Sequence, residues 1–227
     1  MTLHLLRGAE GAYSATSIGT FAVGIMTFLA LVWLRRHERL LSGAGLSALI
    51  VFLIGFGVAA PFLGGANVAG FSSGFGRNET LTGRTETWEA LVPVVKNQPF
   101  LGVGFGSFWT TARRDFYQMS HGHNGYLDIL LEVGAVGLAF YVALLLACAH
   151  KLQAALRDDY EWASLGISFL LMALVYNVTE SALNSLAEQM TALVILVSLA
   201  VPARRVSQCE VWAGNFNEAS ALGSPAR

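Results

Sequence analysis

Three residue types in one polar stretch could do chemistry. His121 and His123 flank a glycine in the run His-Gly-His-Asn, and Arg84, Arg113 and Arg114 precede them. An imidazole that is neutral near pH 7 can take a proton from a hydroxyl, a task few other side chains perform without tuning. A guanidinium keeps its charge and meets phosphate oxygens two at a time. A proton acceptor beside a pyrophosphate clamp is therefore the chemistry on offer. The clamp reading is the better one for Arg84, which opens a segment of helical periodicity. For Arg113 and Arg114, followed by Phe116 and Tyr117, a second reading stands beside it: a collar of cations and aromatics anchored at lipid headgroups.

Asn124 is placed to cap the helix that starts after it. Asp128 and Glu132 lie four residues apart on one face of that helix. Carboxylates inside an apolar segment face protein or water rather than lipid. They either pair with the loop arginines or touch substrate, and Glu180 and Glu188 raise the same question further on. A metal would need a third ligand beside the two histidines, with Asp128 and Glu132 the nearest candidates. A His-x-His pair in a loop is thin support for one, so neither metal nor cofactor is expected.

The elements that must position these groups are set by composition. Of 227 residues, 54% are hydrophobic and 13% charged, against about 25% charged in ordinary soluble domains. Apolar runs near or above the ~17-residue lower limit for crossing a bilayer recur along the chain. The expected fold is all-α: a polytopic transmembrane bundle of about five spans. These are Ile18–Leu34, about Ala44–Leu63, Asn124–Ala149, Trp162–Val178 and a weaker one from near Leu183 to Val201. Glycines 55 and 57 in the second predict close helix packing. The membrane domain covers residues 1–205, and 206–227 read as a disordered cytoplasmic tail. Cys148 and Cys209 form no disulfide framework or zinc pattern.

Arg35, Arg36, Arg39, Lys151, Arg157, Arg204 and Arg205 fall on one side of a five-span arrangement, which the distribution of loop cations makes cytoplasmic. The loop of about residues 64–123 then faces outward. Within it, Trp88, Leu91, Val92 and Val95 recur at helical spacing, predicting a short amphipathic helix on or in the membrane surface. Pro93 should weaken it and Gln98-Pro99 end it. Glycines 102, 104 and 106 follow without the βαβ context of a dinucleotide site, and close packing is their better reading. Five spans with an outside N-terminus and no lead-in look like the back half of something larger.

Four motifs in order carry a resemblance: Thr-Gly-Arg-x-x-x-Trp (82–88), Gln-Pro-Phe-Leu-Gly-Val-Gly-Phe-Gly-Ser-Phe (98–108), His-x-His-Asn-x-Tyr-Leu (121–127) and Glu-x-Gly-x-x-Gly-Leu (132–138). Together they resemble the O-antigen ligase/polymerase superfamily, nearest in flavour to its exopolysaccharide-production membrane proteins. The resemblance implies a multi-pass glycosyltransferase of the bacterial cytoplasmic (inner) membrane, its main loop outside. Such an enzyme would move a glycan from a polyprenyl-pyrophosphate carrier to an acceptor hydroxyl, inverting the anomeric centre without metal. His123 matches the family's proposed base and Arg84 the arginine of its Gly-Arg motif. Arg113, Arg114, His121, Asn124, Asp128 and Glu132 are carried as substrate-binding candidates.

The implied partners are a lipid-linked oligosaccharide, a polysaccharide or lipid acceptor, membrane lipids and other polysaccharide-assembly membrane proteins, with no nucleic acid. Two departures stand out. The chain has fewer spans than family members and lacks their front half, and no basic residue follows the serine at the approach to the first span. A non-catalytic subunit of a polysaccharide complex is the competing reading. A transporter is disfavoured, because the carboxylates gather toward one end instead of threading the bilayer.

Overall fold

The computed structural model describes residues 15–36, 42–63 and 79–181. Every regular element there is helical: α1 (Ala15–Arg36), α2 (Gly43–Ala59) with a 3-10 turn (Ala60–Leu63), α3 (Glu79–Asn97), α4 (Thr111–Tyr117), α5 (Gly125–Ala155) and α6 (Tyr160–Thr179). Four of these segments are long and apolar enough to cross a membrane: Thr16–Arg36, Gly43–Leu63, Gly125–Ala155 and Tyr160–Thr179. The fifth expected span, Arg39, Glu188, Arg204, Arg205 and the tail lie outside the described residues.

Local chemistry sets the boundaries. α1 ends on Arg35 and Arg36, cations that complement the negative end of a helix dipole. Ser42, Asn124 and Asp159 each accept a backbone N–H from the first turn that follows, capping α2, α5 and α6 as such side chains do. Pro61 cannot donate to the carbonyl of Gly57, four residues back, so α2 tightens into the 3-10 turn and leaves that carbonyl without its helical partner.

Two cores result. One lies among α1, α2, α5 and α6 and is built on side chains such as Leu31, Ile50, Leu145, Leu152, Ile167 and Leu170. The other lies beneath the polar stretch, where Trp88, Leu91 and Val95 of α3 pack with Phe108, Trp109 and Leu131. This second core corrects the expectation for α3. Its apolar face is covered by protein rather than laid on lipid, because the following loop folds back over it. Pro93 is accommodated inside α3, which ends at Asn97 as the Gln-Pro pair requires. The stretch also contains a helix the periodicity did not reveal, α4.

α5 is two helices joined across a kink at Gly134 (φ 64°, ψ −164°). A break leaves carbonyls open on one side and N–H groups on the other. The glycine-rich loop fills both sets. Val103 and Gly104 donate to the carbonyls of Leu131 and Glu132 at 2.9 and 2.7 Å, while Ala135 and Val136 donate to those of Pro99 and Phe100 at 2.8 and 3.1 Å. A Cβ at Gly134 would overlap the Phe100 backbone, and one at Gly102 the Glu132 backbone. Both glycines also hold positive φ, so each is required twice over. Packing was the reading given to the glycine run, and this is its form. Of the α2 glycines, Gly57 lies against the Tyr126 ring, whereas Gly55 meets nothing.

Candidate functional site

The His-Gly-His stretch sits where α5 begins and α6 ends; the Gly125 amide donates to the Glu180 carbonyl at 3.1 Å. Gly122 is gripped on both faces. Its carbonyl accepts from Trp88 Nε1 at 2.9 Å and its amide donates to the Asp128 carboxylate at 3.1 and 3.2 Å. Trp109 Nε1 donates to Asp128 Oδ1 at 2.9 Å. A Cβ on Gly122 would lie 2.8 Å from that same oxygen.

The grip explains an unusual backbone. His123 has φ 49°, a left-handed conformation costing a residue with a side chain on the order of 1–3 kcal/mol. Directly after it, the Asn124 side-chain amide bonds through both its nitrogen and its oxygen. Its Nδ2 reaches the carbonyls of Gly57 at 2.9 Å and Val178 at 3.1 Å, and its Oδ1 accepts from Leu127 N at 2.9 Å. The Gly57 carbonyl is the one Pro61 orphans. A single amide thereby ties α2, α5 and α6 together beside His123.

The geometry gathers Arg84, His121, His123 and Glu180. Arg84 Nη2 lies 2.7 Å from Glu180 Oε1, and His123 Nδ1 lies 3.3 Å from Glu180 Oε2. His121 Nδ1 accepts the His123 backbone N–H at 3.2 Å, and the two imidazoles are 4.2 Å apart centre to centre. Arg84 and Trp88 are four apart on α3, hence on one face, which is why the Gly-Arg-x-x-x-Trp spacing delivers a cation to Glu180 and an indole to Gly122 together.

Electrostatics follow from this crowding. Burial lowers the His121 pKa below its ordinary 6.5; His123 and Arg84 lower it further and Glu180 opposes them. Burial alone would raise Glu180, but the His123 hydrogen bond, Arg84 and both histidines outweigh it and hold the carboxylate below its usual range.

Glu180 also supplies the third ligand that a metal reading lacked: His121, His123 and Glu180 offer atoms within 4.8 Å of one another. In this arrangement, however, His121 Nδ1 accepts an amide hydrogen, and both Glu180 oxygens face nitrogen of Arg84 or His123. The groups already satisfy one another as a hydrogen-bonded network.

The other candidates lie outside this network. Asp128 and Glu132 do not pair with loop arginines among the described residues. Asp128 is committed to Gly122 and Trp109, and Glu132 Oε2 accepts from Gly106 N at 3.1 Å. Asn124 is fully buried in its capping role. Arg113 lies over the Phe108 ring at 4.8 Å and donates to the carbonyls of Ser107 and Phe108, while Arg114 is exposed on α4. Glu180 is the residue sequence reasoning underweighted; its one signal was a carboxylate at the end of an apolar span.

A multi-pass helical membrane protein, with an Arg–Glu–His network locked at one end of its bundle, is the class these features define. The chain belongs to the O-antigen ligase family, whose model matches residues 8–142. It is 28% identical over 229 aligned positions to the exopolysaccharide production protein ExoQ of Rhizobium meliloti (strain 1021), covering 91% of this chain and 50% of that protein. The chain thus spans about half the length of the curated relative it matches. No solved structure matches it.

Proposed function

We propose that this chain carries the reactive half of a membrane glycosyltransferase, ligase or polymerase, working at the outer face of the bacterial cytoplasmic membrane in O-antigen or exopolysaccharide synthesis. The donor is a glycan on a polyprenyl pyrophosphate and the acceptor a hydroxyl of another glycan or lipid. The observation that carries the reading is the shared carboxylate, with Glu180 facing Arg84 through one oxygen and His123 through the other.

In the uncharged imidazole that serves as base, Nδ1–H donates to Glu180, which leaves Nε2 to accept the proton of the acceptor hydroxyl. That oxygen forms the new bond to the anomeric carbon as the bond to the pyrophosphate oxygen breaks. The leaving pyrophosphate takes the electron pair, and the remaining N–H groups of Arg84 meet its growing charge. Attack opposite the leaving group inverts the centre, and no step requires a metal. Glu180 offsets the imidazolium once the proton has arrived.

The test is His123→Ala: the protein level should hold while surface polysaccharide disappears. Polysaccharide at the wild-type level in that variant would remove His123 from the chemistry. A second reading draws on the half-length match: the chain is a subunit that completes a polysaccharide-assembly complex. Purified chain given lipid-linked glycan and acceptor separates the two. Turnover by the chain alone supports the enzyme, and turnover only alongside a front-half protein supports the subunit.

A further inference from the structure

We infer that Gln98–Gly106 is a re-entrant loop whose apolar tip faces the acyl chains of the bilayer. The inference is independent of the proposed reaction.

The argument starts from where the loop is tied. It is bonded to both sides of the break at Gly134, which lies well inside an element long and apolar enough to span. The Gly125 amide meets the carbonyl of Glu180, directly beyond the last turn of the antiparallel α6, so Gly125 stands level with that end of α6. At 1.5 Å per residue the break is about 13 Å further along α5, a substantial part of a hydrocarbon layer about 30 Å thick.

Irregular backbone is tolerated at membrane depth where its polar groups are met by protein, and this loop meets that condition in part. The carbonyls of Gln98, Pro99, Phe100 and Gly104 accept, and the amides of Gly102, Val103, Gly104, Gly106 and Ser107 donate within the protein, while those of Phe100, Leu101 and Phe105 have no partner among the described residues. The side chains turned outward are apolar: Phe100 and Leu101 are each 71% exposed and Phe105 70%. Their surface continues that of a span. The Val136 amide is bonded to the Phe100 carbonyl, and Val136 and Phe140 are themselves exposed on α5. A helix face that spans meets acyl chains, and Phe100 adjoins that face at the same depth.

The test uses nitroxide labels at Leu101→Cys and, separately, Phe105→Cys, in the full chain with Cys148→Ala and Cys209→Ser, reconstituted in phosphatidylethanolamine/phosphatidylglycerol vesicles. Collisions with oxygen, which concentrates in hydrocarbon, are compared with those of a water-soluble nickel chelate. Phe140→Cys supplies the lipid-facing reference and Thr111→Cys, at the start of exposed α4, the loop reference. The expected oxygen-to-nickel ratio at 101 and 105 matches that at 140 and stands several-fold above that at 111. Nickel access equal to position 111 overturns the inference in favour of a water-exposed loop. Low access to both reagents overturns it in favour of coverage by protein, whether another copy or the remainder of a longer chain.

Discussion

The two ends of this bundle are stabilised in different ways. Through most of their length α1, α2, α5 and α6 meet through aliphatic side chains. At the loop end, Asn124, Asp128 and Glu132 are buried, α5 is broken, and His123 holds a left-handed backbone. Apolar packing degrades gradually when a methylene is lost, whereas a polar network left half-satisfied fails abruptly. The difference teaches that the shape of the span region and the placement of the Arg84, Glu180 and His123 side chains can be disturbed separately.

The sharpest separation comes from Glu180→Gln. It removes the charge that faces both Arg84 and His123 while leaving the helices in place, and turnover should fall on the order of 10²–10⁴-fold. Turnover at the wild-type level in that variant would detach Glu180 from the reaction. The opposite perturbation is Leu170→Ala, in the aliphatic core. It should cost about 2–5 kcal/mol of stability, read as thermal midpoint in detergent, with the pH profile of the surviving protein unaltered.

Gly134→Ala strikes the junction between the two regions, forcing a side chain into the Phe100 backbone at positive φ. Roughly 2–4 kcal/mol should be lost, and activity should fall with it because the loop bearing Trp109 is displaced. Trp109→Phe keeps an aromatic ring of smaller size but removes the N–H donor to Asp128. About 1–3 kcal/mol should go, and hydrogen exchange at Gly122 should accelerate.

The smallest effect is titration. His121 has a lowered pKa in the fold, so the unfolded chain binds its proton first as pH falls. Stability should therefore decline once pH drops below the ordinary 6.5 and level off beneath the depressed folded value. The groups facing His121 are His123, Glu180 and Arg84. Glu180, itself depressed, adds an acid loss only below its ordinary 4.5. Thermal midpoints from pH 7 to 5 should fall less in His121→Gln than in wild type.

Much of this was legible in the residues. Apolar runs gave the four described spans to within a few residues at every end but one, α5 running to Ala155 where Ala149 was expected, since composition decides what can sit in hydrocarbon. The Trp88, Leu91, Val92 and Val95 spacing located α3 but not what covers it, because periodicity reports an apolar face and not its neighbour. Asn124 as a cap was readable because capping is local. Its contacts to Gly57 and Val178 were not, since they depend on helices that are distant in sequence. For the same reason Asp128 and Glu132 looked available to ligand, although one holds Trp109 and Gly122 and the other Gly106. Glu180 needed the antiparallel pairing of α5 with α6 before its nearness to Arg84 could be seen.

The Asn124 amide has a consequence for assembly. Because it latches onto α2 and the far end of α6 as well as capping its own helix, it can close only when all three rods have met. The neighbouring imidazole then acquires its carboxylate in the same act. A partly inserted chain carries histidine and arginine as unconnected groups, and the Arg84–Glu180–His123 set exists only in the finished bundle.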